Sequence, residues 1–97
     1  MKNILLTYDV NTETKEGRRR LRQVAIVCKN YGQRVQYSVF ECRVNEAQYE
    51  SLKAQILKII DPKIDSIRFY KLSASRELCL ECYGVDKYIN FEDPLII

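Results

Sequence analysis

The residues with the clearest chemical potential lie between positions 9 and 22. An apolar run ends in one carboxylate, Asp9, and a cluster of arginines follows: Arg18, Arg19, Arg20 and Arg22. A carboxylate can hold Mg²⁺, which keeps several waters and readily adds phosphate oxygens. A guanidinium group can donate two parallel hydrogen bonds to the oxygens of one phosphate. The combination indicates a surface that handles a phosphodiester. The plainer alternatives are that Asp9 caps the loop after a strand and that the arginines are solvated surface charge.

The charge distribution favours a polyanionic partner for the N-terminal half of the chain. The net charge is only +3, but residues 10–36 carry seven basic side chains against two acidic ones. From residue 77 onward there are five acidic side chains and one basic one. A basic half beside an acidic tail is typical of proteins that bind nucleic acid.

Length and composition restrict the class of protein. A chain of 97 residues predicts one domain spanning 1–97. Its apolar runs fall short of the roughly 18 residues of a membrane span, and its N-terminus is unlike a signal peptide, so we expect a cytoplasmic protein. The four cysteines are expected to remain thiols, with Cys28 and Cys42 buried at apolar positions. Cys79 and Cys82 form a lone CxxC in a chain without histidine, which favours ordinary side chains over a metal or redox site.

The elements that must position Asp9 and the arginines follow from periodicity and capping residues. Residues 2–10 predict a strand, and Thr14 is a suitable N-cap for the first helix. That helix carries one apolar stripe, places Arg18 and Arg22 together off it, and is expected to end at Gly32 in a left-handed cap. The stripe consists of Leu21, Val24, Ala25 and Cys28.

The second half of the chain repeats the alternation of strand and helix. Residues 33–44 predict a long strand or a bent strand pair. Asn45 and Gln48 predict a capping box for a second helix, which Asp61-Pro62 stops. Its apolar stripe is Tyr49, Leu52, Ile56 and Ile59. Residues 65–72 form another alternating strand, and weaker strand candidates are 78–85 and 94–97. The order predicts an α+β, ferredoxin-like split βαβ fold: an antiparallel sheet with two helices on one face and extra C-terminal strands.

The face of the sheet without helices predicts a second copy of the chain. The first strand is apolar on both sides, with Leu5, Thr7 and Asp9 facing opposite to Ile4, Leu6 and Tyr8. An exposed apolar face usually has a partner, and a two-fold axis is the simplest arrangement. The end of the chain, 94–97, could add as a strand to a neighbouring sheet edge. Two copies of Asp9 would then approach each other, with a cation between them.

Several segments in order resemble a known family. TYDV ends the first strand, GRRRLR opens the first helix, YGQRVQYSVFE covers the second strand region, and DSIRFY lies in the later strand. From residue 2 to about 72 the chain resembles the second CRISPR-associated core protein family, the small nuclease-like subunit found beside the CRISPR integrase. The closing EDPLII is also similar to some members.

The resemblance implies a ferredoxin-like homodimer in which Asp9 of each subunit lines the interface and binds Mg²⁺, with Mn²⁺ as an alternative. Members are described as metal-dependent endonucleases on RNA or double-stranded DNA, and as the spacer-acquisition subunit that bridges two integrase dimers on a DNA duplex. By motif position the further site residues are Tyr8, one arginine of 18–20, Arg34, Ser38 and Phe40. The three consecutive arginines leave the equivalent one open.

Three functional hypotheses remain at this point. In a nuclease, arginines would offset phosphate charge and Ser38 would donate a hydrogen bond, while Tyr8 and Phe40 shape the pocket or belong to the core. One carboxylate per chain and no histidine predict weak or conditional activity. In a non-catalytic scaffold, the arginines would hold DNA and the tail, 78–97, would meet the dimer partner or the integrase. A single-strand RNA binder would stack bases on Tyr70 and Phe40, but an RNP-type motif is missing.

Overall fold

The computed structural model describes residues 1–89, which form a four-stranded antiparallel sheet with two long helices. The elements in chain order are β1 (Lys2–Asp9), α1 (Lys15–Lys29), β2 (Gly32–Gln36), β3 (Val39–Val44), α2 (Glu46–Ile59), β4 (Ser66–Leu72) and α3 (Arg76–Cys79). The strand order is β2-β3-β1-β4. This arrangement confirms the predicted ferredoxin-like fold. In the described part of the chain, no helix is long and apolar enough to cross a membrane.

Side-chain caps begin both long helices at the predicted residues. The Thr14 hydroxyl accepts a hydrogen bond from the Gly17 backbone N–H at 3.0 Å. Asn45 and Gln48 form a reciprocal capping box, in which each side chain accepts from the other residue's backbone N–H at 2.8 and 2.9 Å. These caps satisfy backbone donors that a helix leaves unpaired at its N-terminus. Both start predictions are therefore confirmed.

The prediction that Gly32 ends α1 in a left-handed cap is wrong. The helix ends earlier, with Asn30 as its C-cap in an ordinary right-handed conformation. Gly32 is instead the first residue of β2, where a Cβ would lie 2.5 Å from the backbone oxygen of Glu41 on β3. Glycine is needed here because the two strands approach closely, and not because the chain turns.

The hydrophobic core lies between the helices and one face of the sheet. The predicted helix stripes point into it: Val24, Ala25 and Cys28 of α1 and Tyr49, Leu52 and Ile56 of α2 are buried, and Leu21 and Ile59 pack at the margin. The sheet contributes Ile4, Leu6, Tyr8, Phe40, Cys42 and Val44. Burial raises the pKa of the Cys28 and Cys42 thiols to about 12 and about 11. These two cysteines therefore behave as the buried thiols that the sequence predicted.

The other face of the sheet, here called the open face, carries no long helix from residues 1–89. Residue alternation and strand register place the following side chains on it: Asn3, Leu5, Thr7 and Asp9 of β1, Val39, Glu41 and Arg43 of β3, and Ser66, Arg68, Tyr70 and Leu72 of β4. Tyr70 is 44% exposed. This face mixes apolar and polar side chains, so the prediction of a second apolar face, drawn mainly from the first strand, holds only in part.

The segment after β4, residues 73–89, lies across part of the open face. Arg76 is hydrogen-bonded to Glu41 of β3 and to Asp86, at 3.0 Å to one Asp86 carboxylate oxygen, and its guanidinium lies 3.7 Å from the Tyr88 ring centroid. The Gln33 side chain donates to the Ile89 carbonyl at 2.7 Å and accepts from the Ile89 N–H at 2.9 Å. These contacts tie the tail segment to β2 and β3.

The predicted strand over 78–85 is wrong. The backbone N–H groups of Leu78 and Cys79 donate to the Ser75 carbonyl at 3.1 and 3.2 Å, which closes the short helix α3. Local hydrogen bonds therefore satisfy this backbone without a neighbouring strand. From Leu80 to Ile89 the backbone is irregular. The other candidate strand, 94–97, lies outside the described residues.

A candidate phosphate-handling site at the end of β1

Asp9 is the last residue of β1 and lies opposite Ser66 of β4 on the open face. Its side chain is exposed. Within residues 1–89, its carboxylate makes no hydrogen bond or ion pair. A carboxylate that is neither capping the following loop nor neutralised by a cation is available to a metal ion or to a second chain.

Tyr8, Ser38 and Phe40 lie at the same end of the sheet, but the two aromatic side chains face the helices. The Tyr8 ring stacks on Phe40 with centroids 6.2 Å apart, and its hydroxyl donates to the Tyr37 carbonyl at 3.3 Å. The Tyr8 N–H donates to the Ser38 carbonyl at 3.1 Å. Phe40 is 0% exposed. These contacts hold the β2–β3 turn next to the end of β1, on which Asp9 lies.

Arg20 is engaged in a buried ion pair. Its Nε lies 2.7 Å from Asp65 Oδ2, with the Asp65 side chain 0% exposed and that of Arg20 16% exposed. The Asp65 carboxylate also accepts from the backbone N–H groups of Asn11 and Asp61, at 3.0 and 2.8 Å. Burial alone would raise the pKa of Asp65, but the hydrogen bonds from Arg20, Asp61 and Asn11 outweigh it and lower that pKa. Arg20 therefore joins α1 to the loop after β1 and to the start of β4.

The other arginines of α1 remain available to a ligand. Arg18, Arg19 and Arg22 are exposed, and in the described part of the chain Arg18 donates only to the Thr12 carbonyl, at 3.2 Å. Arg34 of β2 is exposed and its guanidinium lies 5.3 Å from the Phe40 ring centroid, on the helix side of the sheet. Of the three consecutive arginines of α1, Arg20 is held in an ion pair within the fold, whereas Arg18 and Arg19 are exposed.

Sequence reasoning missed Arg68. It lies on β4 opposite Thr7, two residues beyond Ser66, which faces Asp9. Ile67 and Phe69 pack against the core, so Arg68 faces the other way, with Asp9. The signal was present in the alternation of DSIRFYKL, which assigns Arg68 and Tyr70 to one side.

The chain by itself offers few metal ligands. Across residues 1–89 there is no group of three or more His, Cys, Asp or Glu side chains that could hold an ion. Mg²⁺ needs only one or two carboxylates when waters and phosphate oxygens complete its shell. Asp9, exposed and without a partner among the described residues, fits such an ion if a second copy supplies the second carboxylate.

Comparison with known proteins identifies the family. A family model described as CRISPR associated protein Cas2 matches residues 1–78. The chain belongs to the Cas2 family. A curated relative, CRISPR-associated endoribonuclease Cas2 1 of Moorella thermoacetica, is 55% identical over 94 residues, which cover 97% of this chain and 98% of the relative. The predicted family resemblance is thereby confirmed.

Solved structures of the Cas2 family share the fold. The crystal structure of Streptococcus pyogenes Cas2 at pH 6.5 aligns with a TM-score of 0.76 and 54% identity, covering 84% of this chain and 99% of that one. A chain in a partial Cas6-RT-Cas1–Cas2 complex aligns with a TM-score of 0.65 and 25% identity, covering 100% of this chain and 98% of that one. The latter shows a protein of this fold in a multi-protein assembly.

Proposed function

We propose that this Cas2-family chain is a magnesium-dependent endonuclease that hydrolyses phosphodiester bonds in RNA or double-stranded DNA as a homodimer. The observation that carries the proposal is the exposed carboxylate of Asp9 at the end of β1, which has no partner within residues 1–89 and lies on the open face of the sheet. The relative from Moorella thermoacetica is named an endoribonuclease, which supports the same reaction class.

The homodimer is part of the proposal because one chain supplies one carboxylate at this position. Tyr70 on the open face is 44% exposed, and Asp9 and Ser66 at the end of this face are exposed as well. A second copy that covers this face brings two Asp9 carboxylates together, and their repulsion is relieved by a shared cation. The site is then incomplete in the monomer.

The chain's own residues bind and orient the phosphodiester. When bound, Mg²⁺ or Mn²⁺ supplies a polarised phosphate oxygen and a water of lowered pKa. Asp9 holds the cation, and Arg18, Arg19 and Arg22 offset phosphate charge through charge-assisted hydrogen bonds. The half-buried Ser38 lies beside the site, and the chain contains no histidine to act as general base. Slow or conditional turnover follows from this small set of groups.

The test pairs Asp9→Ala with Glu13→Ala, which removes an equal charge from the exposed loop that follows β1. Cleavage of labelled RNA and DNA duplex is measured with increasing Mg²⁺. We expect Asp9→Ala to fall to the rate without metal and Glu13→Ala to match wild type. Equal rates for Asp9→Ala and wild type at every Mg²⁺ concentration would contradict the proposal.

A second function, a DNA-holding scaffold in spacer acquisition, is favoured by the likeness to a chain in a partial Cas6-RT-Cas1–Cas2 complex. In this role the chain would act in the cytoplasm and bridge two integrase dimers, with the α1 arginines on the DNA backbone. Phosphate contacts give affinity without sequence preference that falls steeply with salt. Acquisition that survives Asp9→Ala alongside the integrase would favour the scaffold, and acquisition that disappears while the variant still dimerises would favour nuclease chemistry.

A further inference from the structure

A polar corner of the open face extends the site beyond the residues that sequence reasoning selected. We define this corner by Asp9 and Thr7 of β1 and Ser66 and Arg68 of β4, which are cross-strand neighbours in the register. Asp9, Ser66 and Arg68 are exposed and Thr7 is half-buried. The corner therefore presents one carboxylate, one guanidinium and two hydroxyls on a single surface.

Arg68 is held in place without being neutralised. One of its terminal nitrogens donates to the Tyr70 hydroxyl at 3.0 Å, and in residues 1–89 it has no carboxylate partner. Arg20 and Arg76, by contrast, are paired with Asp65 and with Glu41 and Asp86. A guanidinium has five N–H donors, so Arg68 retains four for another acceptor.

The tail segment covers a different part of the open face. A cavity of about 260 Å³ between the tail and the sheet is lined in part by Leu5, Val39, Leu72, Cys79 and Leu80. None of the four residues of the polar corner contributes to that lining. The tail thus packs against the apolar part of the open face and does not cover the polar corner.

We propose that Arg68 binds a non-bridging phosphate oxygen of the nucleic-acid backbone beside Asp9. The inference rests on the proposed function, to which it adds a substrate contact on the sheet itself. A guanidinium fixed by a tyrosine hydroxyl is pre-organised for an oxyanion, and an exposed arginine without a carboxylate partner loses no ion pair when it binds one. Its neighbour Asp9 would repel the same phosphate unless a cation lies between them. Arg68 would therefore contact the phosphodiester directly, and Asp9 would contact it through the cation.

The experiment compares Arg68→Gln, Arg68→Lys and a control, Lys58→Gln, which removes an exposed charge from the last turn of α2. Binding of a fluorescent DNA duplex of mixed sequence, and of an RNA of the same sequence, is titrated with Mg²⁺ present over a range of salt, and is read before measurable cleavage. Sedimentation velocity records the oligomeric state of each variant. We expect Arg68→Gln to lose roughly tenfold in affinity, the value of one hydrogen bond to a charged group, and to reduce the salt slope by about one.

The conservative variant distinguishes charge from packing. Arg68→Lys keeps the cation, so it should restore the salt slope while recovering only part of the affinity, because lysine lacks the planar fork. Arg68→Gln that binds like Lys58→Gln, at wild-type affinity and slope, would overturn the inference. A changed sedimentation coefficient for Arg68→Gln would also overturn it, since the lost affinity would then follow from a change in dimerisation and not from a lost phosphate contact.

The same titration, together with the cleavage assay, distinguishes failure of this inference from failure of the proposed nuclease function. If wild type binds with a steep salt dependence and cleaves through Asp9 while Arg68→Gln is unaffected, only the inference fails. If wild type neither binds nor cleaves either nucleic acid, the proposed function itself fails.

Discussion

Replacing Arg20 tests whether this member of the arginine cluster stabilises the fold. Breaking a fully buried ion pair costs about 3–5 kcal/mol. Here the Arg20 side chain is 16% exposed, and the Asp65 carboxylate keeps two backbone N–H donors after Arg20 is gone. Because of these features, we expect Arg20→Ala to lower the free energy of unfolding by about 2 kcal/mol, within the range of one hydrogen bond to a charged group.

The matched control is Arg19→Ala, which removes the same side chain from an exposed position on the same helix. Its free energy of unfolding should stay within about 0.5 kcal/mol of wild type. Both variants are unfolded in urea at one protein concentration, so that any association is held constant. Equal stabilities for the Arg19 and Arg20 variants would refute the assignment of a structural role to Arg20.

The pH dependence of the same measurement provides a second check. The pKa of Asp65 is lowered in the folded protein, so the stabilisation is present above the unfolded value of about 3.9 and is lost as pH falls through the folded value. The difference in unfolding free energy between wild type and Arg20→Ala should therefore be constant near neutral pH and shrink in acid. A difference that widens on acidification would contradict the ion pair as its source.

Two further predictions concern residues whose roles the structure reassigns or refines. Phe40→Ala should lower the unfolding free energy by about 3–5 kcal/mol, because Phe40 is 0% exposed in the core. If Phe40→Leu recovers both the stability in urea and the activity that Phe40→Ala loses, the role of Phe40 is packing. Cys79 and Cys82 are exposed and should react rapidly with a thiol reagent, whereas Cys28 and Cys42, whose thiol pKa values burial raises to about 12 and 11, should react only after denaturation. Four equally fast thiols in the native protein would contradict the described core.

The helix starts, the stripes and the main strands could be predicted because each depends on neighbours in the sequence. A cap such as Thr14 acts within one turn, and the burial of Val24 or Leu52 follows from a period of 3.6 residues. Gly32 and the segment 78–85 could not be predicted in this way. The first depends on the approach of β3. In the second, local hydrogen bonds to Ser75 form α3, and Arg76 on this helix is held by Glu41 of β3 and by Asp86, partners that strand periodicity does not reveal.

The residues of the candidate site show the same difference between local and long-range determinants. Sequence alone determined that Asp9 ends the first strand on the side away from Leu6 and Tyr8, since strand alternation fixes the side of every residue once one side is buried. Only the tertiary structure decided which arginine of α1 is occupied, because Asp65 lies 45 residues from Arg20 along the chain. It also placed Arg68 beside Asp9, because strand register, a property of two distant segments together, sets which side chains are neighbours across a sheet.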